Sequence, residues 1–142
     1  MLRAVVDVNV LVSGLLTPRS SPPARIRHAL TIRAIRAVAS PDLVSELDEV
    51  LHRRKFARYL STADADRAVT EFRRTAEMHY PEEAPTPIGR DRDDDYLVAL
   101  TLYAKADLLV TGDTDLLDIH NPGIRIVTPA ELMAELDREI GI

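Results

Sequence analysis

Two aspartates in this sequence follow apolar segments that have the length and composition of buried strands. Asp7 lies at the carboxyl end of residues 2–8, and Asp113 comes just after residues 107–111, which Gly112 ends. Short continuous apolar runs of this kind are typical of parallel strands buried on both faces. In an open parallel sheet the functional crevice lies outside the carboxyl ends of the strands. We therefore expect both aspartates at the same edge of a sheet.

Two further carboxylates stand on predicted helices. Glu46 lies in the helix predicted at residues 43–52, at the border of its apolar stripe, where a side chain can reach a crevice beside the core. The helix predicted at residues 93–105 is apolar almost all round, which predicts burial. Its start carries an acidic group made of Asp91, Asp93, Asp94 and Asp95. Because Asp95 lies one position inside the apolar run, we expect it to project into the domain.

Each of these carboxylates also has an ordinary structural explanation. Asp7 fits the N-cap of the helix that follows the first strand, and Asp113 fits a polar turn closed by an Asx cap. Glu46 can point into solvent. One or two of the aspartates at positions 91–95 can cap the buried helix or interact favourably with its dipole. Only convergence at one place would distinguish a site from separate caps.

Carboxylates that converge need a counter-charge, because like charges at close range raise one another's pKa unless a cation neutralises them. The sequence has no cysteine, so a metal would be held by oxygen or imidazole ligands. Ligands that are mostly oxygen suit Mg²⁺ or Mn²⁺. Such an ion can turn water into a nucleophile and stabilise charge on a phosphate oxygen. The carboxylates therefore favour hydrolysis of a phosphodiester bond.

The composition limits the fold and the partners. At 142 residues, 46% hydrophobic and 4% aromatic, the chain fits one domain over residues 1–142, with an aliphatic core. The net charge of −5 is unusual for a nucleic-acid binder, but carboxylates gathered in one pocket would leave the remaining surface nearly balanced. No signal-peptide pattern or membrane-length apolar run is present, so a cytoplasmic protein without a membrane partner is expected.

Apolar runs and turn signals alternate along the chain. Strands are predicted at residues 2–8, 35–39, 107–111 and 124–127. Helices are predicted at residues 10–16, 24–30, 43–52, 63–79, 93–105, near 116 and at 129–140, with a loop at 80–92. Strands that alternate with helices imply βαβ units. The predicted class is therefore α/β, with a mainly parallel central sheet covered by helices on both faces.

Four short motifs stand in a fixed order and spacing along nearly the whole chain. They are Val6-Asp7-Val8-Asn9-Val10, then Glu46-Leu47, then Asp93-Asp94-Asp95 with Leu97-Val98-Ala99-Leu100, and then Val110-Thr111-Gly112-Asp113-Thr114-Asp115-Leu116-Leu117. Together they resemble the PIN-domain family, and within it the VapC-like toxins of type II bacterial toxin–antitoxin systems. Each motif is short, and the resemblance rests on the agreement of all four.

The resemblance implies a Mg²⁺- or Mn²⁺-dependent endoribonuclease with a three-layer α/β/α fold. Its acidic quartet would be Asp7, Glu46, Asp95 and Asp113. All four are implied as metal ligands, with Glu46 either holding a metal or orienting the attacking water. Polar support would come from Asn9, Thr111, Asp115 and Asp94. The choice of Asp95 over Asp93 or Asp94 depends on aligning residues 97–99 with the helix of the family.

The resemblance also implies three kinds of partner: an RNA substrate, a cognate antitoxin, and a second copy of the chain in a homodimer. Two basic groups offer RNA contacts. The first lies just beyond the Glu46 helix and comprises Arg53, Arg54, Lys55 and Arg58. The second lies near the first loop and comprises Arg19, Arg25 and Arg27. A solvated basic face is the other interpretation of either group.

Two other functions fit parts of the sequence. A haloacid-dehalogenase-like phosphatase would use Asp7 as its nucleophile, but Asn9 stands where its general acid is expected. That enzyme would also have to steady the phosphate with Lys55 or Lys105, the chain's two lysines. The second alternative is a non-catalytic PIN-like scaffold that binds RNA or protein. Unused buried carboxylates would carry a desolvation cost in such a scaffold.

Overall fold

A parallel sheet organises the protein. The computed structural model describes residues 1–81, 95–119 and 123–139. The strands in these ranges are β1 (Leu2–Val6), β2 (Ile35–Ala39), β3 (Glu77–Met78), β4 (Leu108–Val110) and β5 (Ile126–Val127). They form one sheet in the order β3-β2-β1-β4-β5, and every neighbouring pair is parallel. The predicted α/β class with a mainly parallel sheet is confirmed.

Helices connect the strands. In the described part of the chain they are α1 (Val8–Leu16), α2 (Pro22–Thr31), α3 (Pro41–Leu51), α4 (Thr62–Thr75), α5 (Asp95–Tyr103), α6 (Thr114–Leu117) and α7 (Pro129–Glu139). A short 3-10 helix, Arg54–Phe56, lies between α3 and α4. None of the described helices has both the length and the apolar character needed to cross a bilayer. The loop predicted at residues 80–92 lies outside the described residues from residue 82 onward.

β1 forms the centre of the sheet because its inner residues are apolar on both faces. Its last three residues are fully or almost fully buried, with β2 on one side and β4 on the other. The prediction that this strand continues to Val8 is wrong at its end. The Asp7 carboxylate accepts a hydrogen bond from the backbone N–H of Asn9, so α1 begins at Val8 and the chain turns away from the sheet.

α3 buries its apolar stripe and leaves Glu46 at the edge of that stripe. Ser40 caps the helix by accepting a hydrogen bond from the Leu43 N–H at 3.3 Å, and Pro41 occupies the first turn, where no N–H is needed. The buried side chains are those that the periodicity predicts, namely Leu43, Val44, Leu47, Val50 and Leu51. Glu46 itself is half-buried, as its position at the border predicts.

The edge strand β3 is not predicted by the sequence, which favours one helix through residues 63–79. α4 instead ends at Thr75, because Ala76 has an extended backbone with ψ of 149°. β3 then pairs in parallel with the end of β2, and the N–H of His79 continues the ladder to the carbonyl of Ala39 at 2.8 Å. The helix prediction is wrong here because pairing with a distant strand overrides local propensity.

The order of the strands reverses at β1. The chain builds outward from β1 through β2 to β3, and then returns to place β4 on the other side of β1. Ligand sites in open parallel sheets lie in the crevice that such a reversal opens at the carboxyl ends of the strands. The residues that leave the sheet at this crevice are Asp7 after β1 and Thr111 after β4.

The ion pair between Arg3 of β1 and Glu77 of the edge strand β3 should make a pH-dependent contribution to stability. Glu77 accepts hydrogen bonds from Arg3 and lies 2.7 Å from Nε2 of His79, and these two contacts, the first the larger, lower the Glu77 pKa from 4.5 to about 2. The stabilisation is present above the unfolded-state pKa and is lost as the pH falls toward 2. Glu77→Gln should lower the unfolding free energy by about 1 kcal/mol at neutral pH, as measured by urea denaturation.

Glu71→Gln is the matched control, because exposed Glu71 pairs with Arg74 on the same turn of α4. We expect a smaller loss for this variant, and we expect the loss for Glu77→Gln to shrink as the pH falls toward 2. Equal losses for the two variants, or a Glu77→Gln loss that does not depend on pH, would contradict the assignment.

Candidate active site

Asp7 is a buried carboxylate at the point where β1 passes into α1. Its side chain is held from two directions, and the residue is only 5% exposed. Oδ1 accepts the backbone N–H of Asn9 at 3.2 Å, and Oδ2 accepts the hydroxyl of Thr111 at 2.7 Å. The N–H of Asp7 also donates to the carbonyl of Val110 at 2.9 Å, which extends the pairing of β1 with β4. Asp7 is therefore both the predicted N-cap and a fixed acidic group in the crevice.

Thr111 joins the two central strands at this edge. It is fully buried, and its N–H donates to the carbonyl of Val127 at 3.0 Å. Its hydroxyl donates to Asp7 and accepts the backbone N–H of Asp113 at 3.0 Å. One hydroxyl group thus satisfies the buried carboxylate and orients the turn that follows β4. The sequence predicts Thr111 as polar support, and the structure places it between the two aspartates.

Asp113 lies two residues beyond Thr111 and is half-buried. Its Oδ1 accepts the backbone N–H of Asp115 at 2.9 Å, so Asp113 is the N-cap of α6. Asp115 is also half-buried, in the first turn of that helix. Like Asp7, Asp113 has the capping role that its position in the sequence suggests. The two caps nevertheless come together at the same crevice.

The electrostatics of Asp7 favour a cation beside it. Burial is the main cause that raises the pKa of the Asp7 carboxyl, and the negative charge of Asp113 raises it further. The hydrogen bonds from Thr111 and from the N–H of Asn9 act in the opposite direction and only partly offset the burial. A divalent cation bound at this point would relieve both the desolvation and the repulsion between the two carboxylates. The donor set, carboxylates with a neighbouring hydroxyl, fits a hard cation such as Mg²⁺.

Glu46 contacts the start of α5 through a tyrosine. The hydroxyl of Tyr96 donates a hydrogen bond to Oε2 of Glu46, and both residues are half-buried. This contact holds α3 against the first turn of α5, which Asp95 opens. The sequence does not single out Tyr96. The available signal was a phenol one residue after the acidic group, at the start of an otherwise apolar helix.

The described residues cover only part of the predicted acidic group at positions 91–95. Asp95 is the first residue of α5, so it lies next to Tyr96 in the sequence and in the helix. Asp94, predicted as polar support, and Asp93 and Asp91 lie outside the described residues. The structure therefore places Asp7 and Asp113 around Thr111, and Glu46 beside the helix that Asp95 begins. Asn9 is exposed at the first turn of α1.

The two basic groups differ in their contacts. Arg25 forms an ion pair with Asp137 of α7, in which its guanidinium donates to Oδ1 of Asp137 at 2.6 Å. Arg53 pairs with Glu49 on the last turns of α3, with Nη2 to Oε2 at 3.0 Å. Arg54 and Lys55 are exposed in the short 3-10 helix that follows. Arg19 and Arg27 are also exposed, so each group has one arginine in an ion pair and further cations that face solvent.

A second set of possible metal-ligand atoms lies between α3 and α4. In the described part of the chain, Asp48, His52 and Asp66 bring three such atoms within 4.8 Å of one another, all on exposed residues. The His52 nitrogens lie 2.7 Å from the Asp48 carbonyl oxygen and 2.8 Å from Oδ1 of Asp66. These contacts, the backbone one first, raise the His52 pKa and favour the protonated ring. The protonated ring pairs with both carboxylates and links α3 to α4, whereas only the neutral ring could bind a metal.

These features define an α/β/α domain with a carboxylate site at the carboxyl ends of its two central strands. The family model described as PIN domain matches residues 3–115, well over half of the chain, and this range includes all four members of the predicted acidic quartet. The protein belongs to the PIN-domain family.

One relative in sequence and one solved structure of similar fold extend this comparison. The uncharacterized protein MJ1680 of Methanocaldococcus jannaschii is 26% identical over 149 aligned positions, which cover 98% of this chain and 94% of the relative. A chain of the crystal structure of VapBC2 from Rickettsia felis, bound to a DNA fragment from their promoter, superposes with a TM-score of 0.60 at 13% identity. The superposition covers 89% of this chain and 98% of the other, and it confirms the predicted PIN-like three-layer fold.

The burial of Asp7 predicts that its charge destabilises the metal-free protein. Because the folded-state pKa is raised above the value of 3.8, stability is lost as the pH rises through the folded-state pKa. Asp7→Asn, with EDTA present, should therefore raise the unfolding free energy at neutral pH by about 1 kcal/mol. Thermal or urea denaturation of both proteins measures the difference, which should disappear below pH 3.8.

Asp113→Asn serves as the control, because Asp113 is half-buried and asparagine can also cap α6, so stability should change less. A metal-free Asp7→Asn variant that is less stable than wild type at neutral pH would mean that hydrogen bonds to the charged carboxylate outweigh its burial.

Proposed function

We propose that this protein is a metal-dependent endoribonuclease that hydrolyses phosphodiester bonds of RNA. The observation that carries this proposal is the buried Asp7 carboxylate, joined through Thr111 to Asp113 at the reversal point of the sheet. A buried anion with a second anion beside it is an unstable arrangement unless a cation completes it. Membership of the PIN-domain family supports nuclease chemistry at this place.

Asp7, Glu46, Asp95 and Asp113 are proposed to hold Mg²⁺ or Mn²⁺. When bound, such an ion would supply positive charge to activate water and to stabilise the phosphate oxygens. Asp94 and Asp115 are proposed as neighbouring carboxylates that strengthen the negative field, and Asn9 as a polar group at the rim. The support for these roles is position in the chain. Asp94 adjoins Asp95, Asp115 lies two residues after Asp113, and Asn9 is in the first turn of α1.

The side chains of this protein would act mainly by positioning. Thr111 keeps Oδ2 of Asp7 in place, so that the carboxylate faces the crevice in one orientation. In the hydrolysis, the oxygen of water forms the new bond to phosphorus, the bond to the leaving sugar oxygen breaks, and that oxygen takes up a proton from solvent. As the alternative to holding the ion, Glu46 is proposed to orient this water and to accept its proton. The hydroxyl of Tyr96, which donates to Glu46, would hold that carboxylate toward the start of α5.

We also propose that the protein is the toxin of a toxin–antitoxin pair and acts in the cytoplasm. The support is the shared fold with a chain of VapBC2 from Rickettsia felis, whose structure was solved bound to promoter DNA. On this proposal the partners are an RNA substrate, an antitoxin protein and a second copy of the chain. Co-expression with the protein encoded beside its gene, followed by copurification, tests the antitoxin.

The catalytic proposal predicts metal-dependent cleavage that requires Asp7. Purified wild-type protein, incubated with labelled single-stranded RNA, should cleave with Mg²⁺ or Mn²⁺ and should stop when EDTA is added. Asp7→Asn should reduce the rate by at least about a hundredfold, because it removes a charged ligand from the centre of the site. Gel analysis of the labelled products at several times gives the rates.

Glu71→Gln is the control carboxylate, since it is exposed on α4 and paired with Arg74; its rate should equal that of wild type. If the wild type binds RNA but cleaves no RNA with any divalent metal, the protein is a non-catalytic scaffold. If Asp7→Asn cleaves as fast as wild type, the activity does not come from this site.

Tyr96→Phe tests the positioning role of Tyr96. The ring is kept and the hydrogen bond to Glu46 is lost, so kcat should fall by roughly tenfold while KM changes little. Tyr103→Phe, at the other end of α5, is the control. An unchanged kcat for Tyr96→Phe, with the fold intact by circular dichroism, would exclude the hydrogen bond from the mechanism.

A further inference from the structure

The segment that follows α3 has a charge opposite to that of the whole protein. Residues 53–59 carry four cationic side chains and two aromatic rings but no acidic residue, whereas the chain as a whole has a net charge of −5. We call these residues the basic-aromatic platform. A compact positive surface on an acidic protein indicates a negatively charged partner at that surface.

Apolar side chains anchor the platform to the hydrophobic core. Phe56 and Leu60 are half-buried and pack against the core, four residues apart. Backbone hydrogen bonds fold the segment around them, with the N–H of Phe56 donating to Arg53 at 3.0 Å and the N–H of Leu60 donating to Phe56 at 2.9 Å. Two inward apolar anchors in a hydrogen-bonded turn leave the remaining side chains outside. Arg54, Lys55, Arg58 and Tyr59 are accordingly all exposed.

The outward cations are available to a ligand. No carboxylate among the described residues pairs with Arg54, Lys55 or Arg58, whereas Arg67 and Arg74 on α4 pair with acids on their own helix. Lys55 and Arg58 instead make cation–π contacts with the aromatic rings of the platform. The Lys55 ammonium lies 5.0 Å from the centre of the Phe56 ring, and the Arg58 guanidinium lies 5.8 Å from that of Tyr59. Such contacts leave the positive charge in solvent.

Tyr59 gives the platform a flat apolar surface. Its side chain is 69% exposed, which is unusual for an aromatic residue on a rigid turn. An exposed aromatic ring beside arginine is the combination on which unpaired nucleobases stack in single-stranded nucleic acid, while the neighbouring cations bind phosphates. An acidic peptide would use the cations but would gain little from the ring.

The platform follows the helix that carries Glu46. Glu46 stands five residues before the end of α3, which at 1.5 Å per residue is roughly 8 Å. A single strand with one nucleotide on the platform can therefore place a neighbouring nucleotide near Glu46.

We propose that residues 53–59 bind an unpaired nucleotide of the RNA substrate, with its base stacked on Tyr59 and its phosphates bound by Arg54, Lys55 and Arg58. This inference rests on the proposed ribonuclease function and adds a binding site for the substrate, at which a base held in a duplex cannot stack on the ring. The protein should prefer single-stranded RNA to a duplex of the same sequence.

Binding of a fluorescein-labelled single-stranded RNA in EDTA, followed by anisotropy, tests the platform without cleavage. Tyr59→Ala should raise the Kd by about tenfold, and Tyr59→Phe should bind like wild type because the ring remains. Tyr103→Ala, an exposed tyrosine on α5, is the control and should bind like wild type. Arg54→Ala should reduce the slope of log Kd against log salt by about 0.7, and Arg74→Ala should not.

Each outcome decides one of the two proposals. If folded Tyr59→Ala and Arg54→Ala bind single-stranded RNA like wild type, or if wild type binds no RNA, the platform proposal is wrong. It is equally wrong if the variants lose binding to oligoglutamate and not to RNA, since the partner is then an acidic protein. Loss of RNA binding in the variants together with a wild type that never cleaves would support the platform and reject the nuclease.

Discussion

The hydrogen bond from the Thr111 hydroxyl to the Asp7 carboxylate is the contact on which the site depends. A carboxylate that is only 5% exposed needs donors, and the fold supplies one from its own chain turn and one from the neighbouring strand. Because β1 and β4 are adjacent and parallel, their carboxyl ends meet, and the two residues that leave them can touch. The same hydroxyl accepts the N–H of Asp113, so the position of the second aspartate follows from the first contact.

The burial of the Asp7 carboxylate near Asp113 is electrostatically unfavourable. Burial and the nearby charge of Asp113 both raise the pKa of Asp7, so ionisation of this carboxyl opposes folding. The surrounding aliphatic core, which includes every residue of β4, supplies the stability that allows this strain. A cation bound beside Asp7 and Asp113 would offset this electrostatic penalty. The capping roles leave lone pairs on both carboxylates, because each cap uses one oxygen for the helix N–H and the Thr111 hydroxyl takes only one lone pair of Oδ2 of Asp7.

Acidic and basic residues are concentrated in different parts of the protein. Acidic groups lie at the sheet edge, and an acid-free basic segment lies beyond the end of α3, so a net charge of −5 hides two regions of opposite sign. Arg53, the first residue of the basic segment, follows Glu46 by seven positions, and the border between the two regions falls in this stretch of the sequence. For a nuclease this is a consistent division, because the metal needs carboxylates while the substrate needs cations and a stacking surface. The ion pair of His52 with Asp48 and Asp66 joins α3 to α4 beside this border.

The sequence by itself determined the fold class, the residues of β2, the buried stripe of α3, and the placement of Asp7 and Asp113 after strands. These features depend on the local order of apolar and polar residues, which the chain carries directly. Tertiary structure alone decided that β3 is a strand, that β1 stops before Val8, and that Tyr96 donates to Glu46. Each of these depends on a partner or a turn whose geometry no periodicity records, and the Tyr96 contact joins residues 50 positions apart. Convergence of the carboxylates belongs to the same class, because it requires the strand order and not the strands alone.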